Sequence, residues 1–226
     1  MVYQGPHVEV SLPPAVAGPA FLSDGAEVWV RPVQTSDRDI VLDLLEREAP
    51  EPRRLATARP ALTQEEILAP ASPDERLCLL VLGDHPDRVA VLGLGEYVRP
   101  SAGSPVAEVA FLVGGPFRDQ GIATLLLARL ARAALAFGIQ RFEARVRAEN
   151  PEMLEVFRGT GVAFTEEPAD GEVDLLIPLA PEVATGGAAL VGKAPAEDGS
   201  GVPCARREGG RPASGRHRVP AARSRL

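Results

Sequence analysis

Apolar positions along the chain follow two rhythms. Ala26–Val33 (Ala-Glu-Val-Trp-Val-Arg-Pro-Val) is rich in strand formers and predicts a strand, with Trp29 packed into the core. Arg76–Leu82 and Val89–Val98 predict two more strands, separated by a turn containing Gly-Asp-His-Pro-Asp. Ala107–Val113 is a further extended stretch. From Gly121 to Phe137 the rhythm turns helical: Ile122, Leu126, Leu130, Ala133 and Phe137 share one stripe. Gly138 stands where a left-handed helix cap belongs. Arg141–Arg147 then alternates Phe142, Ala144 and Val146 with charged residues, as a half-buried strand does.

The remaining elements are read from end signals. Ser36, with Asp39 three residues on, opens a helix reaching about Glu48, with Ile40, Leu44 and Leu45 facing inward. Thr63 and Glu66 repeat the pattern before a short helix at Ile67-Leu68. Asn150-Pro151 marks a helix start, and that helix ends near Gly161. Val162–Thr165 and Val173–Pro178 close the order as two short strands. The result is a mixed α+β plan. One crossover stands out: a strand at 107–113, a helix at 121–137 and a strand at 141–147, which makes those two strands parallel.

Three segments follow from this pass: an irregular arm over 1–24, with a short extended piece at His7–Ser11; one domain over 25–180; and a disordered basic tail over 181–226, rich in Gly, Ala, Pro and Arg. Hydrophobic residues make up 45% of the 226, so a sizeable core is available and the chain is not disordered throughout. No apolar run approaches the roughly 18 residues of a membrane span, and no basic region followed by an apolar stretch opens the chain, so a cytoplasmic protein is expected. Cys78 and Cys204 are too few and too far apart for a disulfide framework or a CxxC metal site, and no metal is expected; Cys78 lies in an apolar strand and reads as a buried thiol. The net charge of −7 argues against nucleic-acid binding. It is unevenly spread: Pro181–Leu226 carries eight Lys+Arg against four Asp+Glu, a net +4, which leaves the rest of the chain at −11.

The chemistry concentrates in Val113-Gly-Gly-Pro-Phe-Arg-Asp-Gln-Gly-Ile-Ala-Thr124, which joins a strand to a helix N-terminus. Unpaired amides and the positive end of the helix dipole make such a junction suited to phosphate. Gly121 allows an unusual backbone angle and close ligand approach, and small Ala123 does not block it. No Gly-Lys-Ser/Thr follows, so this is not a Walker A loop. Gly93-Leu-Gly95 lies inside a strand and lacks the third glycine of a dinucleotide fingerprint.

Arg118-Asp-Gln-Gly-Ile-Ala123 resembles the Arg/Gln-x-x-Gly-x-Gly/Ala signature of the GNAT superfamily of N-acetyltransferases. Arg31-Pro32 followed by Asp37 is similar to that family's first strand and helix. Asn150, Met153, Phe157 and Gly161 are similar to its later Asn-x-x-(Ala/Met)-x-x-x-(Tyr/Phe)-x-x-x-Gly segment. The resemblance covers about 27–180. Its closest look is to the protein-lysine acetyltransferase branch, often joined to an NDP-forming acyl-CoA synthetase-like module; Phe21–Pro32, Ala107-Glu-Val-Ala-Phe111 and Ala148-Glu-Asn150 carry that impression.

The resemblance implies the GNAT fold: a mixed, mostly antiparallel sheet with helices on both faces and a central parallel strand pair splayed to hold CoA. It implies acetyl-CoA as co-substrate, contacted by Phe111, Leu112, Val113, Arg118, Asp119, Gln120, Gly121, Ile122, Ala123 and Asn150. It implies direct attack by an amine acceptor, a protein lysine or a small-molecule amine, with Glu108 as general base. Glu96 on the neighbouring strand is a second candidate base, and Tyr97 a candidate acid. Two departures pull toward a non-catalytic acyl-CoA-binding or sensing module: Asp119 brings negative charge to the loop, and Phe157 stands where many relatives have a proton-donating Tyr. The acidic domain opposes long-range attraction of polyanionic CoA and favours a cationic acceptor. Neither nucleic acid nor membrane is expected as a partner, and the protein is expected to be a monomer or weak dimer.

Overall fold

The computed structural model describes residues 2–4, 9–48, 64–69, 71–85, 88–148, 154–155, 157–158, 165–169 and 171–180. All of them fall within one compact unit, Met1–Ala194; the second unit, Pro195–Leu226, and the tail expected from 181 onward lie outside the described residues.

In chain order the elements are β1 (Val2–Gln4), β2 (Glu9–Ser11), β3 (Gly18–Phe21), β4 (Glu27–Pro32), α1 (Arg38–Glu48), α2 (Gln64–Leu68), β5 (Arg76–His85), β6 (Arg88–Val98), β7 (Val106–Val113), α3 (Ile122–Ala136), β8 (Arg141–Arg147), β9 (Thr165–Ala169) and β10 (Glu172–Pro178). Strands β1 and β2 pair with each other. The rest form an eight-stranded sheet in the order β3-β4-β5-β6-β7-β8-β10-β9. Every neighbouring pair is antiparallel except β7 and β8, which are parallel and joined through α3. The mixed α+β architecture and the parallel crossover are as the sequence predicts.

The alternation along each strand sorts side chains to two faces. One face carries Leu77, Leu79, Val81, Val109, Phe111, Phe142, Ala144 and Val146, and α3 buries it with Leu126 and Leu130. The other carries Cys78, Leu80 and Leu94, covered by Val41 and Leu44 of α1 and Ile67 and Leu68 of α2. Helix α3 is buried well beyond the expected stripe, through Leu125, Leu127, Ala131 and Ala134. The chain before β3 explains this: Leu12 and Val16 pack into the same cluster, and Arg129 of α3 donates to the carbonyls of Ala15 and of Pro19, the latter at 3.0 Å.

Two glycines of β6 let α3 lie close to the sheet. A Cβ on Gly93 would stand 2.9 Å from Ile122 Cγ2, and one on Gly95 would stand 2.9 Å from the Phe111 ring and 3.2 Å from Leu126 Cβ. The Gly-x-Gly of this strand is therefore a packing device.

Several expectations need correction. Gly18–Phe21, read as irregular arm, is an edge strand of the main sheet, paired with β4 through a turn at Gly25 (φ +87°). Trp29 is 48% exposed, not core: Val28 and Val30 take the inward positions of β4, so pleating turns Trp29 out. The acid that orders the start of α1 is Asp37, not Asp39; its carboxylate accepts from the Gln34 N–H at 2.7 Å. Val41 and Leu44 are the fully buried residues of α1, with Ile40 and Leu45 at the margin. The penultimate strand runs on through Thr165–Ala169, paired with β10 across a hairpin turn at Gly171 (φ +81°); residues 162–164 of the expected 162–165 lie outside the described set. Among the described residues no helix is long and apolar enough to cross a membrane.

Candidate active site

The seam between β7 and β8 opens. Ladder pairs join Val106–Glu108 to Arg141–Glu143 and then stop, although β7 continues to Val113 and β8 to Arg147. Each strand stays paired with its outer neighbour beyond that point, β7 with β6 through Val113 and β8 with β10 through Arg147. The result is a wedge between two intact half-sheets, with Glu108 at its vertex. The β7 backbone from Val109 to Val113 forms one wall.

The strand-to-helix loop lies at the wide end of this wedge. A short 3₁₀ turn at Gly115–Phe117 is anchored by the Gly114 N–H, which donates to the Leu92 carbonyl at 2.9 Å. Two of the next residues are left-handed, Asp119 (φ +61°) and Gly121 (φ +84°). Helix α3 starts directly after Gly121, and no side chain among the described residues caps it. Its first amides therefore keep their donor capacity. Nothing lies within 4 Å of the point a Gly121 Cβ would occupy, so the loop has open space in front of it. Ile122 and Ala123 point into the core. Gln120 is tied locally: its side chain donates to the Pro116 carbonyl at 3.4 Å and its carbonyl accepts from the Ser23 N–H at 3.2 Å. This geometry fits a pyrophosphate: donors at a dipole's positive end, free space and a wedge leading inward.

Charge at the loop is mixed. The exposed guanidinium of Arg118 stands 3.5 Å from Glu48, whose carboxylate also lies against Gly115. Asp119 is exposed beside it. Sequence reasoning missed Glu48, because only the folded chain brings the end of α1 to this loop.

Structure brings most expected residues together and separates others. Glu108 lies at the wedge vertex, half-buried, with its Oε2 atom buried. Phe111 is buried on the α3 side, its ring 6.1 Å from that of Phe157. Leu112 turns to the other face, and Val113 ends β7. Tyr97 is not placed to act as an acid. It points to the α3 face, opposite to Glu96 and Glu108, packs on Phe142 and donates its hydroxyl to the Pro73 carbonyl. Burial pushes that phenol well above its ordinary range. Cys78 is the expected buried thiol; burial, then the charge of Glu96, pushes it up. Asn150 and Met153 lie outside the described residues. No cluster of three or more potential metal ligands occurs among the described residues.

Comparison with known proteins agrees with this geometry. Residues 27–163 match the acetyltransferase (GNAT) domain family, and the chain belongs to that family. A stretch of 77 residues is 34% identical to acetyltransferase Pat of Mycolicibacterium smegmatis, covering 34% of this chain and 23% of that protein, so the match spans about a quarter of the relative's length. The crystal structure of the GNAT domain of S. lividans PAT superposes with a TM-score of 0.63 at 25% identity, over 75% of this chain and all of that one. Mycobacterium smegmatis RimJ, solved in complex with CoA-disulfide, shares the fold with a TM-score of 0.53 at 22% identity, over 76% of this chain and 93% of that one. The match over residues 27–163 establishes the family, and the solved structures share its fold. They do not single out its lysine-acetyltransferase branch or a fused synthetase-like module.

Proposed function

We propose that this protein transfers an acetyl group from acetyl-CoA to the amine of a protein lysine, in the cytoplasm, with Glu108 as general base. The observation that carries this reading is the opening of the β7/β8 seam at Glu108, in line with the uncapped, left-handed loop before α3. Acetyl-CoA supplies an activated acyl thioester. In this reading the α3 amides with Arg118, Asp119, Gln120, Gly121, Ile122 and Ala123 hold its pyrophosphate. The β7 backbone over Phe111, Leu112 and Val113 aligns its arm, and Asn150 adds a further contact.

The chain's remaining task is proton handling. A lysine amine has an ordinary pKa of about 10.4, so freeing it at pH 7 costs roughly 4.6 kcal/mol. Glu108 accepts that proton, directly or through one water. No acid is required for the departing group, because a thiol with a pKa of about 8.5 leaves as its thiolate far more readily than an amine does. Phe157, which cannot donate a proton, is compatible with this mechanism.

Charge favours a cationic acceptor, and a protein lysine is one. With the basic tail set aside, the chain carries −11, which suits such an acceptor. A thiol-release assay with lysine peptides and a polyamine panel tests the acceptor. Release with the peptides and not the polyamines is expected; the reverse would move the acceptor to small amines.

Asp119 favours a second reading, acyl-CoA binding without transfer. Its charge and strained backbone weaken the loop on the acyltransfer reading as well. Asp119→Gly removes both and is expected to tighten acetyl-CoA binding roughly two- to fivefold, the equivalent of about 0.5–1 kcal/mol. Asp119→Asn, measured by the same titration, separates charge from backbone. Release on any acceptor rules out the sensor reading.

A further inference from the structure

The last residue of α1, Glu48, reaches the loop before α3 from a distant part of the chain. Its side chain is 11% exposed, and its Oε2 atom accepts from the Arg118 guanidinium at 3.5 Å. A Cβ on Gly115 would stand 3.5 and 3.8 Å from its two oxygens, so the carboxylate is seated against the turn that opens the loop. For α1 this place is unfavourable, because a helix C-terminus carries partial negative charge and disfavours an anion. The cation next to it in sequence does not offset that. Arg47 turns back to Asp43, donating to its carbonyl at 3.1 Å and standing 3.3 Å from its carboxylate. Glu48 is matched to the loop instead.

Other bonds hold the loop's backbone. The Gly114 N–H donates to the Leu92 carbonyl at 2.9 Å, and the Phe117 N–H donates to the Gly114 carbonyl at 2.8 Å. The Ser23 N–H, in the turn between β3 and β4, donates to the Gln120 carbonyl at 3.2 Å. Glu48 bonds a side chain of the loop, and that side chain is 53% exposed. At 3.5 Å the contact is long; a close charge-assisted pair sits at roughly 2.7–2.9 Å. An ion pair so open is worth little and gives way to a stronger anion. Arg118 stands three residues before Gly121, where the loop faces open space and the first α3 amides are uncapped.

We propose that Glu48 is a positioning residue for the co-substrate: its carboxylate holds Arg118 in place of the pyrophosphate, and acetyl-CoA displaces it to claim the guanidinium. The proposal rests on the loop before α3 being the pyrophosphate site. A pyrophosphate offers more charge and more acceptor oxygens than one carboxylate, including the bidentate geometry a guanidinium favours. The exchange lowers affinity for acetyl-CoA and for product CoA alike, because both carry the same pyrophosphate. As CoA leaves, Glu48 recovers Arg118, which eases product release.

The test is calorimetric titration of the full chain and its Glu48→Gln variant with acetyl-CoA, CoA and acetyl-pantetheine, which is the same thioester without phosphates, alongside thermal melts. The amide keeps the size and an acceptor oxygen but loses the charge. Glu48→Gln is expected to bind acetyl-CoA and CoA about two- to fivefold more tightly, the scale of one exposed ion pair. The gain is expected to shrink at about 0.5 M salt and to be absent for acetyl-pantetheine. In an Arg118→Gln background the gain is expected to vanish, since no guanidinium is left to exchange.

Unchanged or weaker binding of acetyl-CoA by Glu48→Gln makes Glu48 an anchor of the loop and overturns the proposal. A gain that persists in the Arg118→Gln background reduces Glu48 to simple repulsion and overturns it too. Should Glu48→Gln not fold, Glu48→Asp, which draws the carboxylate back from Arg118 by one methylene, is expected to gain affinity by less, and no gain is again contrary. The parent chain separates the two claims. Acetyl-CoA bound no more tightly than acetyl-pantetheine defeats the pyrophosphate site itself, whereas tight acetyl-CoA binding with no gain in Glu48→Gln defeats this proposal alone.

Discussion

Glu108→Gln is expected to lower kcat by a factor of about 10²–10⁴, the range general-base catalysis supplies, while leaving acetyl-CoA affinity unchanged. The amide matches the carboxylate in size and keeps an acceptor oxygen, but it cannot hold the amine's proton. Glu108 sits at the vertex where the β7/β8 ladder ends, clear of the α3 loop at the far end of the wedge. Catalysis and cofactor binding are therefore separable in space. Single-turnover thiol release at pH 8, with calorimetry on the same variant, checks both halves. An unchanged rate removes Glu108 from the mechanism. A parallel loss of affinity would show that Glu108 supports the cleft rather than the chemistry.

Asp37→Ala is expected to cost about 3 kcal/mol of stability, the scale for removing one partner of a buried ion pair. Asp37 is 5% exposed and receives two bonds from Arg31, at 2.6 and 2.7 Å, besides the Gln34 N–H at 2.7 Å. Those hydrogen bonds raise the Arg31 pKa, against the opposing effect of burial. Removing the carboxylate strands a partly buried guanidinium and releases the first turn before α1. At roughly 2–4 °C per kcal/mol for a domain of this size, the melting temperature should fall by about 6–12 °C. The effect should also reach the cofactor loop, because α1 ends in Glu48, which lies against Gly115 and Arg118. Differential scanning calorimetry measures the first consequence and acetyl-CoA titration the second. A loss below 1 kcal/mol would mean that Arg31 finds another partner at little cost.

The sequence was legible where local rules decide structure. The strands at Arg76, Val89, Ala107 and Arg141 and the helix after Gly121 follow from alternation, helical periodicity and a glycine cap, and all form as read. The loop was legible too, since Gly121 and the residues around it combine a backbone need with a known signature. What stayed hidden depends on contacts distant in sequence. Gly18–Phe21 looks irregular alone and becomes a strand only because β4 offers it an edge. Trp29 looks like core by type, but its parity on β4 decides the matter. Ser36 and Asp39 spell a capping pattern, but Asp37, bonded by Arg31 six residues upstream, is the acid that accepts from the Gln34 N–H. Tyr97 reads as an acid by type, but the face it takes and its bond to the Pro73 carbonyl turn it away from the wedge. That Glu96 and Glu108 stand on one face of the sheet follows from the β6/β7 register, which no local pattern supplies.

The most direct test of this account is calorimetric titration of the full chain with acetyl-CoA. It predicts saturable binding of one acetyl-CoA per chain, and loss of that binding in Gly121→Val, where a β-branched side chain would fill the open space and strain a left-handed backbone. Absence of saturable heat at about millimolar acetyl-CoA, a concentration at which even a site worth only about 4 kcal/mol would be half filled, would contradict it. The fold would then stand without the activity proposed for it.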